Sequence, residues 1–288
     1  MQTTCVAMPG AFNGLVARAV ADAGFDACYV SGGAISAASG VPDIGLLSLE
    51  AFSRVIREVA DSSGLPVIAD ADTGFGEGEM LTRTVWEYHR AGAAGFHIED
   101  QVFPKRCGHL DGKALVSVDN MQEKISRAAS ARDACSGGSF IVCARTDARS
   151  VEGIDQAIER SMAYLDAGAD MLFPEGFHSE EELGRFAEAV RGRGRNGGPF
   201  LLGNMTEFGK TPIIPMDRWE SLGYSCVIFP VTSLRVAMGA VTKFLEALRR
   251  DGHVEASLDT MQPRKELYEL LGYTPGTEWV YPGSTRRD

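Results

Sequence analysis

Short, almost continuously apolar runs alternate with longer amphipathic runs along the chain. The short runs are rich in Val, Ile and Phe, as expected for parallel strands covered on both faces. They predict eight strands, at Thr4–Met8, Ala27–Ser31, Pro66–Asp70, Gly95–Ile98, Phe140–Ala144, Met171–Pro174, Phe200–Gly203 and Cys226–Pro230. The longer runs predict helices at Val16–Ala23, Leu49–Ser62, Glu79–Ala91, Asp119–Ala134, Ile154–Ala167, Glu180–Arg191 and Ser233–Arg250.

Residues at the ends of the amphipathic runs support these boundaries. Ser48 and Ser179 precede two of the runs, and Gly64 and Gly252 follow two of them. A serine oxygen can accept the unpaired N–H groups of a first helical turn, and glycine adopts the left-handed conformation that closes a last turn. The alternation is therefore one of discrete helices and strands.

Eight such alternations over about 250 residues predict a closed (β/α)8 barrel of the TIM type, in the α/β class. The competing doubly wound sheet usually carries a G-x-G-x-x-G loop after its first strand, which SGGA at 31–34 does not match. We expect residues 1–252 to form the catalytic barrel. Residues 253–288, with a helix at Pro263–Leu271, would be a C-terminal helical arm and tail of the same domain.

The composition narrows the class of protein. Hydrophobic residues make up 44% and charged residues 23% of the chain, which is typical of soluble globular proteins. No apolar stretch is long enough to span a membrane, and the net charge of −11 argues against nucleic acid or anionic lipid as a partner. Without a leader pattern or a disulfide-like spacing of its six cysteines, the chain is expected to be cytoplasmic.

Polar residues collect where the predicted strands end, which is where barrel enzymes place their active sites. Because buried charge is costly unless it is paired or bound to metal, convergence of acids and arginines at one rim predicts a polar site. The candidate residues at strand ends are Tyr29, Ser31, Gly32, Gly33, Asp70, Asp72, Glu99, Arg145, Glu175, Asn204, Thr206 and Arg235.

Asp70 and Asp72 form the candidate metal site. At strand spacing i, i+2 their carboxylates point the same way, and Glu99 ends the next strand. Oxygen ligands without His or Cys at metal spacing favour Mg²⁺, or Mn²⁺, over zinc. The alternative is a structural pair that accepts N–H bonds from a loop; the further acids Asp43 and Glu175 favour the metal.

Arginines near the same rim indicate an acidic ligand. Guanidinium groups bind carboxylates through two hydrogen bonds, and Arg145, Arg235 and Arg264 each follow or end apolar runs. With the acidic metal site, they predict a small polycarboxylate held partly through metal. For Arg145 an ion pair with Asp147 or Glu175 is the alternative interpretation.

The loop at 104–113, between a strand and a helix, is placed to act as a lid over this rim. Cys107 lies between Lys105 and Arg106 on one side and His109 on the other, and these cationic groups could lower the pKa of its thiol. Such a thiol can give or take a proton near neutrality. An exposed thiol without a role is the alternative. His97, on the fourth strand, is interpreted as a satisfied interior histidine.

Taken together, four phrases resemble the signatures of the isocitrate lyase/phosphoenolpyruvate mutase superfamily: DADTGFG at 70–76, GFHIEDQ at 95–101, KRCGH at 105–109 and ARTD at 144–147. Four later phrases resemble its 2-methylisocitrate lyase branch: FPE at 173–175, NMTEFGKTP at 204–212, FPVTSLR at 229–235 and MQPRKELY at 261–268. The likeness runs in order from Met8 to about Tyr273.

The resemblance implies a (β/α)8 barrel that assembles as a homotetramer by exchanging a C-terminal helix. It implies Mg²⁺-dependent retro-aldol (Claisen-type) cleavage of the tricarboxylate 2-methylisocitrate to pyruvate and succinate, a reaction of the methylcitrate cycle in propionate catabolism. A related lyase or decarboxylase acting on dimethylmalate, isocitrate or oxaloacetate remains an alternative. So does a non-catalytic barrel that binds a carboxylate or serves as an assembly subunit, although Cys107 and Asp72 argue against it.

The resemblance also implies roles residue by residue. Asp70 and Asp72 would hold the metal, with Glu99 in its water shell. Cys107 would protonate the succinate carbanion, and Tyr29 would remove the C2-hydroxyl proton. The pyruvoyl carboxylate and the rest of the substrate would be bound by Ser31, Gly32, Gly33, Gly108, Arg145, Glu175, Asn204, Thr206, Arg235 and Arg264.

Overall fold

The computed structural model describes residues 4–106, 108 and 112–284 of the 288-residue chain. Within these residues eight strands alternate with helices. They are β1 (Val6–Pro9), β2 (Cys28–Val30), β3 (Val67–Asp70), β4 (Gly95–Glu99), β5 (Ile141–Thr146), β6 (Met171–Pro174), β7 (Phe200–Asn204) and β8 (Cys226–Phe229). All eight predicted strands are confirmed, with ends that differ by at most two residues.

The helices follow the amphipathic runs. They are α1 (Gly14–Asp22), α2 (Gly32–Ala38), α3 (Leu49–Ser63), α4 (Glu79–Arg90), α5 (Val118–Ser136), α6 (Ile154–Asp166), α7 (Glu180–Val190), α8 (Met216–Ser221), α9 (Thr232–Asp251) and α10 (Arg264–Leu270). All but α2 and α8 are predicted by the sequence pattern. Those two helices show no clear amphipathic pattern, since α2 begins with two glycines and has no charged side chain, and α8 buries a single residue, Trp219.

Cap residues set the helix ends as expected. The side chains of Ser48 and Ser179 accept the backbone N–H groups of Ala51 and Glu182, three residues further on. Gly64, with φ of +68°, ends α3 in the left-handed conformation. These local contacts fix where each helix stops and where the chain turns back towards the sheet.

Parallel pairing carries the strands round in a ring. Within the described residues the sheet order is β1-β8-β7-β6-β5-β4-β3-β2, with every pair parallel. Between β1 and β2, Gly10 bridges Tyr29, and the Ala11 N–H donates to the Tyr29 carbonyl at 2.8 Å. The predicted barrel is confirmed, and all its strands end on the same rim.

Two apolar layers hold the barrel. Side chains such as Met8, Ile68 and Leu202 fill its interior, while a larger layer packs between strands and helices. Burial on both sides explains the continuous hydrophobicity of the strands, because successive side chains point to opposite faces. In β6, for example, Phe173 lies in the inner cluster and its neighbour Leu172 in the outer one.

The C-terminal helices are much less buried than the barrel. No residue of α9 is buried within the chain, and α10 contacts α1 through a hydrogen bond from Arg18 to the Leu270 carbonyl. None of the described helices combines the length and the apolar character that crossing a bilayer requires. The boundary between barrel and arm after residue 252 stays a prediction, although α9 ends there at Gly252.

Candidate active site

A cavity of about 150 Å³ opens at the carboxyl ends of the strands. Of the candidate residues, ten line it: Tyr29, Ser31, Gly33, Asp70, Gly108, Arg145, Glu175, Asn204, Thr206 and Arg235. Gly32, Asp72 and Glu99 are buried and interact with lining residues. The barrel therefore brings together side chains that are up to about two hundred positions apart in sequence.

Two candidates are not placed in this cavity. Arg264 begins α10 and is exposed, outside the described lining. Cys107, the predicted proton donor, lies outside the described residues, although its neighbour Gly108 is described and lines the cavity. The roles of both residues stay predictions.

Asp70 is held in place by backbone groups. It ends β3, and its two carboxylate oxygens accept the N–H of Gly32 at 3.1 Å and that of Asp72 at 3.0 Å. A Cβ at Gly32 would lie 2.8 Å from Asp70 Oδ2, so a side chain there would collide with the acid. Asp70 therefore accepts N–H bonds from the backbone, which is the alternative role considered for this pair. These bonds orient its carboxylate towards the cavity that Asp70 lines.

The neighbouring Asp72 lies beyond the strand in a left-handed turn, with φ of +46°, so the expected strand spacing of the two carboxylates is wrong. Burial, followed by the charge of Asp70, raises the pKa of Asp72 to about 7. For Asp70 burial also favours the neutral acid, but His97 and Lys105 outweigh it and hold the pKa of Asp70 below its usual value. The pKa values of Asp70 and Asp72 differ because two close carboxylates share too little positive charge for both to ionise easily.

The cation that faces Asp72 is Lys105, a residue that sequence reasoning noted only as a neighbour of Cys107. Its Nζ lies 2.7 Å from Asp72 Oδ1 and 2.5 Å from Asp43 Oδ1, and the residue is only 3% exposed. Burial lowers its pKa, but Glu99 and the aspartates outweigh burial and raise the pKa of Lys105 well above its usual value. The sequence signal that could have identified Lys105 as a site residue is its position in the KRCGH phrase.

Arg145, the last but one residue of β5, is the centre of a second ionic group. Its Nε lies 3.0 Å from Asp147 Oδ2 and 3.3 Å from Glu99 Oε2, and its Nη1 lies 3.8 Å from Glu175 Oε2. The guanidinium also stacks over the Phe173 ring at 5.1 Å. The ion pairs considered as the alternative role for Arg145 are therefore present, and the same guanidinium still lines the cavity.

Asp147 links this group to a second buried lysine. Lys113 Nζ lies 2.8 Å from Asp147 Oδ1 and donates to the Gly108 carbonyl. Burial would raise the pKa of Asp147, but Arg145 and Lys113 hold it below its usual value. Gly108 approaches so closely that a Cβ there would lie 2.4 Å from Arg145 Nη2. Glycine at 108 is thus required by this close contact.

Tyr29 and His97 pair inside the barrel. Tyr29 Oη and His97 Nε2 are 2.7 Å apart, and both residues are buried. Burial lowers the pKa of His97 to about 4, so the ring is neutral at pH 7. The histidine is interior, as expected, but it is not fully satisfied, because its Nδ1 has no hydrogen-bond partner among the described residues. Burial, then the charge of Asp70, raises the pKa of Tyr29 well above its usual value. The raised pKa makes the Tyr29 side chain a neutral phenol at pH 7.

The ends of β6 and β7 and the start of α9 add further polar groups to the cavity. Asn204 Nδ2 donates to Glu175 Oε2 at 3.1 Å, and Arg235 Nη1 lies 2.9 Å from Glu207 Oε2. Thr206 also lines the cavity. Arg235 follows β8 in α9, so the helix that leaves the barrel begins at the cavity.

The fit of a divalent cation can be judged from the acids themselves. In the described ranges no three His, Cys, Asp or Glu side chains are arranged to hold a metal ion. A divalent cation bound by Asp70 and Asp72 would therefore need water to complete its coordination. Glu99 Oε1 is buried without a hydrogen-bond partner among the described residues, and burial raises the pKa of Glu99 well above its usual value. Oxygen donors with this excess of negative charge fit a hard cation such as Mg²⁺.

A parallel eight-stranded barrel with acids and arginine at the carboxyl ends of its strands defines a (β/α)8 barrel of the enzyme type. The chain belongs to the phosphoenolpyruvate phosphomutase family, which matches residues 1–249. The superfamily resemblance found in the motifs is confirmed.

Proteins similar to the chain include a probable 2-methylisocitrate lyase 1 of Corynebacterium glutamicum, 51% identical over 92% of this chain and 84% of the relative. Other relatives with the 2-methylisocitrate lyase or probable 2-methylisocitrate lyase name are 41–50% identical. A crystal structure of 2,3-dimethylmalate lyase is similar with a TM-score of 0.86 and 38% identity, covering 93% of this chain and 86% of that one. A phosphonopyruvate hydrolase complex with oxalate and Mg²⁺ has a TM-score of 0.80 and 30% identity, covering 93% and 90%.

The buried Asp147 carboxylate generates a stability prediction. Asp147→Asn removes the carboxylate that pairs with Lys113 and one of the three carboxylates near Arg145 in a dry site, which we expect to lower the free energy of unfolding by about 3–5 kcal/mol. Urea unfolding followed by circular dichroism measures it. Asp155→Asn, in an exposed pair with Arg185, is the control and should change stability little. Equal stability of the two variants would contradict the buried ionic group.

Proposed function

We propose that this chain is a carbon–carbon lyase that cleaves 2-methylisocitrate to pyruvate and succinate, as a cytoplasmic enzyme of the methylcitrate cycle in propionate catabolism. The identity of the relatives supports the reaction, since the C. glutamicum protein matches over 92% of this chain. The observation that carries the proposal is the cavity in which Asp70 faces Arg145 at the strand ends. It offers a cation-binding side and a carboxylate-binding side to one small acid.

A divalent cation, Mg²⁺ with Mn²⁺ as a substitute, would be held by Asp70 and Asp72, with Glu99 acting through water. When bound, it would supply Lewis-acid polarisation of the substrate's hydroxyl and carboxylate oxygens. The raised pKa values of Asp72 and Glu99 support this assignment, because both acids lack sufficient positive charge. The oxalate and Mg²⁺ found together in phosphonopyruvate hydrolase are consistent with it.

The substrate would lie between these acids and the arginines. Arg145 and the backbone of the Ser31–Gly33 turn would bind the carboxylate of the pyruvate half. Arg235, Asn204, Thr206, Glu175 and Gly108 would surround the succinate half, since all of them line the cavity. Arg264 would bind substrate only where the C-terminal arm brings it to a cavity, because it lies outside the described lining of the cavity in its own chain.

The cleavage needs one proton removed and one delivered. The C2 hydroxyl of the substrate gives up its proton, the carbon–carbon bond breaks to form the new carbonyl, and the electron pair stays on the succinate carbon. We assign proton removal to Tyr29 and protonation of the carbanion to the Cys107 thiol. Burial, then the charge of Asp70, raises the pKa of Tyr29, so this role depends on added positive charge near Asp70.

The assembly proposed is a homotetramer in which C-terminal helices are exchanged between neighbouring copies. Apolar side chains of α9 that remain exposed in one chain support it, Val236 at 70% and Leu245 at 54% among them. A twenty-residue helix without a buried residue lacks the packing that normally stabilises a helix in water. A second copy would provide that packing.

The substrate is identified by a panel assay. With Mg²⁺, the purified protein should release pyruvate from 2-methylisocitrate with a higher kcat/KM than from 2,3-dimethylmalate, isocitrate (glyoxylate release) or oxaloacetate. Chelation with EDTA should abolish release, and added Mg²⁺ should restore it. Preference for 2,3-dimethylmalate, whose lyase has a similar structure, would contradict the proposed substrate; cleavage of none would contradict the lyase assignment.

The proton-transfer role of Cys107 is tested by Cys107→Ser. A serine hydroxyl is a far weaker acid than a thiol, so we expect turnover to be lost while the thermal unfolding temperature and Mg²⁺ binding are retained. Cys135→Ser, at a half-buried helix position away from the cavity lining, is the matched control and should keep its activity. Unchanged turnover in Cys107→Ser would refute the assignment.

The assembly is tested by light scattering after gel filtration. We expect the mass of four chains for the wild type, and smaller species for Val241→Lys combined with Leu245→Lys, since both residues lie on one face of α9. Val151→Lys, at an exposed apolar position outside α9, should leave the tetramer intact. A monomeric wild type would show that the assignment of a tetramer is wrong.

A further inference from the structure

One lysine ammonium occupies the acidic side of the cavity. Asp43, Asp70, Asp72 and Glu99 all raise the pKa of Lys105, and two of them contact it directly. The ammonium is almost fully buried, at 3% exposure. A lysine is seldom buried to this degree unless its charge is compensated, so this position is maintained by the acids around it.

The contacts show where the ammonium sits. Its Nζ is 2.7 Å from the Oδ1 atom of Asp72, and the other aspartate oxygen it touches belongs to Asp43, from the segment between α2 and α3. Asp72 is one of the two acids assigned above to the divalent cation. The ammonium therefore contacts an oxygen of a carboxylate that is assigned to the metal.

We infer that the Lys105 ammonium is the resident cation of this carboxylate cluster before a divalent cation binds, and that Mg²⁺ binds by displacing it. The inference rests on the metal assignment in the proposed function. Two cations on one carboxylate oxygen in a dry site repel each other strongly, because the effective dielectric constant is low there. A divalent cation on Asp72 Oδ1 and the ammonium in its present position exclude one another.

Displacement has a structural consequence for this chain. Lys105 now joins the loop that follows β4 to Asp43 and to the end of β3. Once its ammonium leaves Asp72, the remaining contacting carboxylate is the partly exposed Asp43, and we expect the side chain to follow it towards solvent. The ammonium of Lys105 thus competes with the metal for Asp72 and weakens metal binding. Lys105 becomes accessible to solvent only in the metal-bound state.

Lysine acetylation read by mass spectrometry tests this directly on the wild-type protein. A short pulse of N-acetoxysuccinimide should leave Lys105 unmodified without metal and modify it at saturating Mg²⁺, with no substrate present. Lys124, 4% exposed at its side chain and paired with Glu77, should stay protected in both states, and the exposed Lys265 should react in both. Continued protection of Lys105 while Mg²⁺ is bound would overturn the inference.

Metal affinity gives the second readout. Lys105→Met removes the competitor, so calorimetric titration with Mg²⁺ alone should show a dissociation constant lowered by about 5- to 150-fold, the range of coupled binding equilibria. Lys124→Met, which removes a buried lysine outside the cluster, should keep the wild-type dissociation constant. Equal Mg²⁺ affinity of wild type and Lys105→Met would also overturn the inference.

The outcomes separate this inference from the proposed reaction. If a raised unfolding temperature shows that Mg²⁺ binds while Lys105 stays protected, displacement is refuted and the lyase assignment is intact. Displacement observed in a protein that cleaves none of the four acids supports this inference and refutes the lyase assignment. Failure of Mg²⁺ and Mn²⁺ to bind either wild type or Lys105→Met refutes the metal site and the displacement together.

Discussion

Compensation of buried negative charge is the constraint on which this site depends. The carboxylates of Asp70, Asp72, Glu99 and Asp147 are all withdrawn from water. An isolated carboxylate in such a place would be neutralised or would destabilise the fold. Arg145 can approach three of the surrounding acids at once, but its single charge is divided between them. What remains uncompensated appears as raised pKa values at Asp72 and Glu99.

The barrel explains why these groups meet. Each parallel strand delivers its last residues to the same rim, so Asp70 from β3, Glu99 from β4 and Arg145 from β5 become neighbours through register alone. Glu99 and Arg145 are paired positions in adjacent strands. The hydrophobic interior below them excludes water from one side of the rim, which strengthens every ionic contact there. Core packing and site electrostatics are thus consequences of one topology.

The sequence predicts the strands, the long helices and the strand-end residues, because all three depend on local periodicity. It does not predict α2 or α8, whose sequences show no clear amphipathic pattern, nor the partners of Lys105. Of the partners of Arg145, Asp147 and Glu175 are considered from the sequence, but Glu99 is not. The contact between Lys105 and Asp43 joins residues 62 positions apart through two irregular loops, whose paths have no periodic signal. For Arg145 the strand-end position indicated a site, while the choice between ion pair and ligand contact depended on three-dimensional distances.

The charge balance also bears on the kind of ligand. Carboxylates outnumber cationic side chains around the cavity, and Arg235 is already paired with Glu207. A polycarboxylate entering this space would add negative charge to a site that already has too much. A lysine ammonium supplies only one positive charge, whereas a divalent cation in its place supplies two. The excess of acid is therefore reason to expect that an anionic substrate and a divalent cation bind together, since each offsets the charge that makes the other unfavourable.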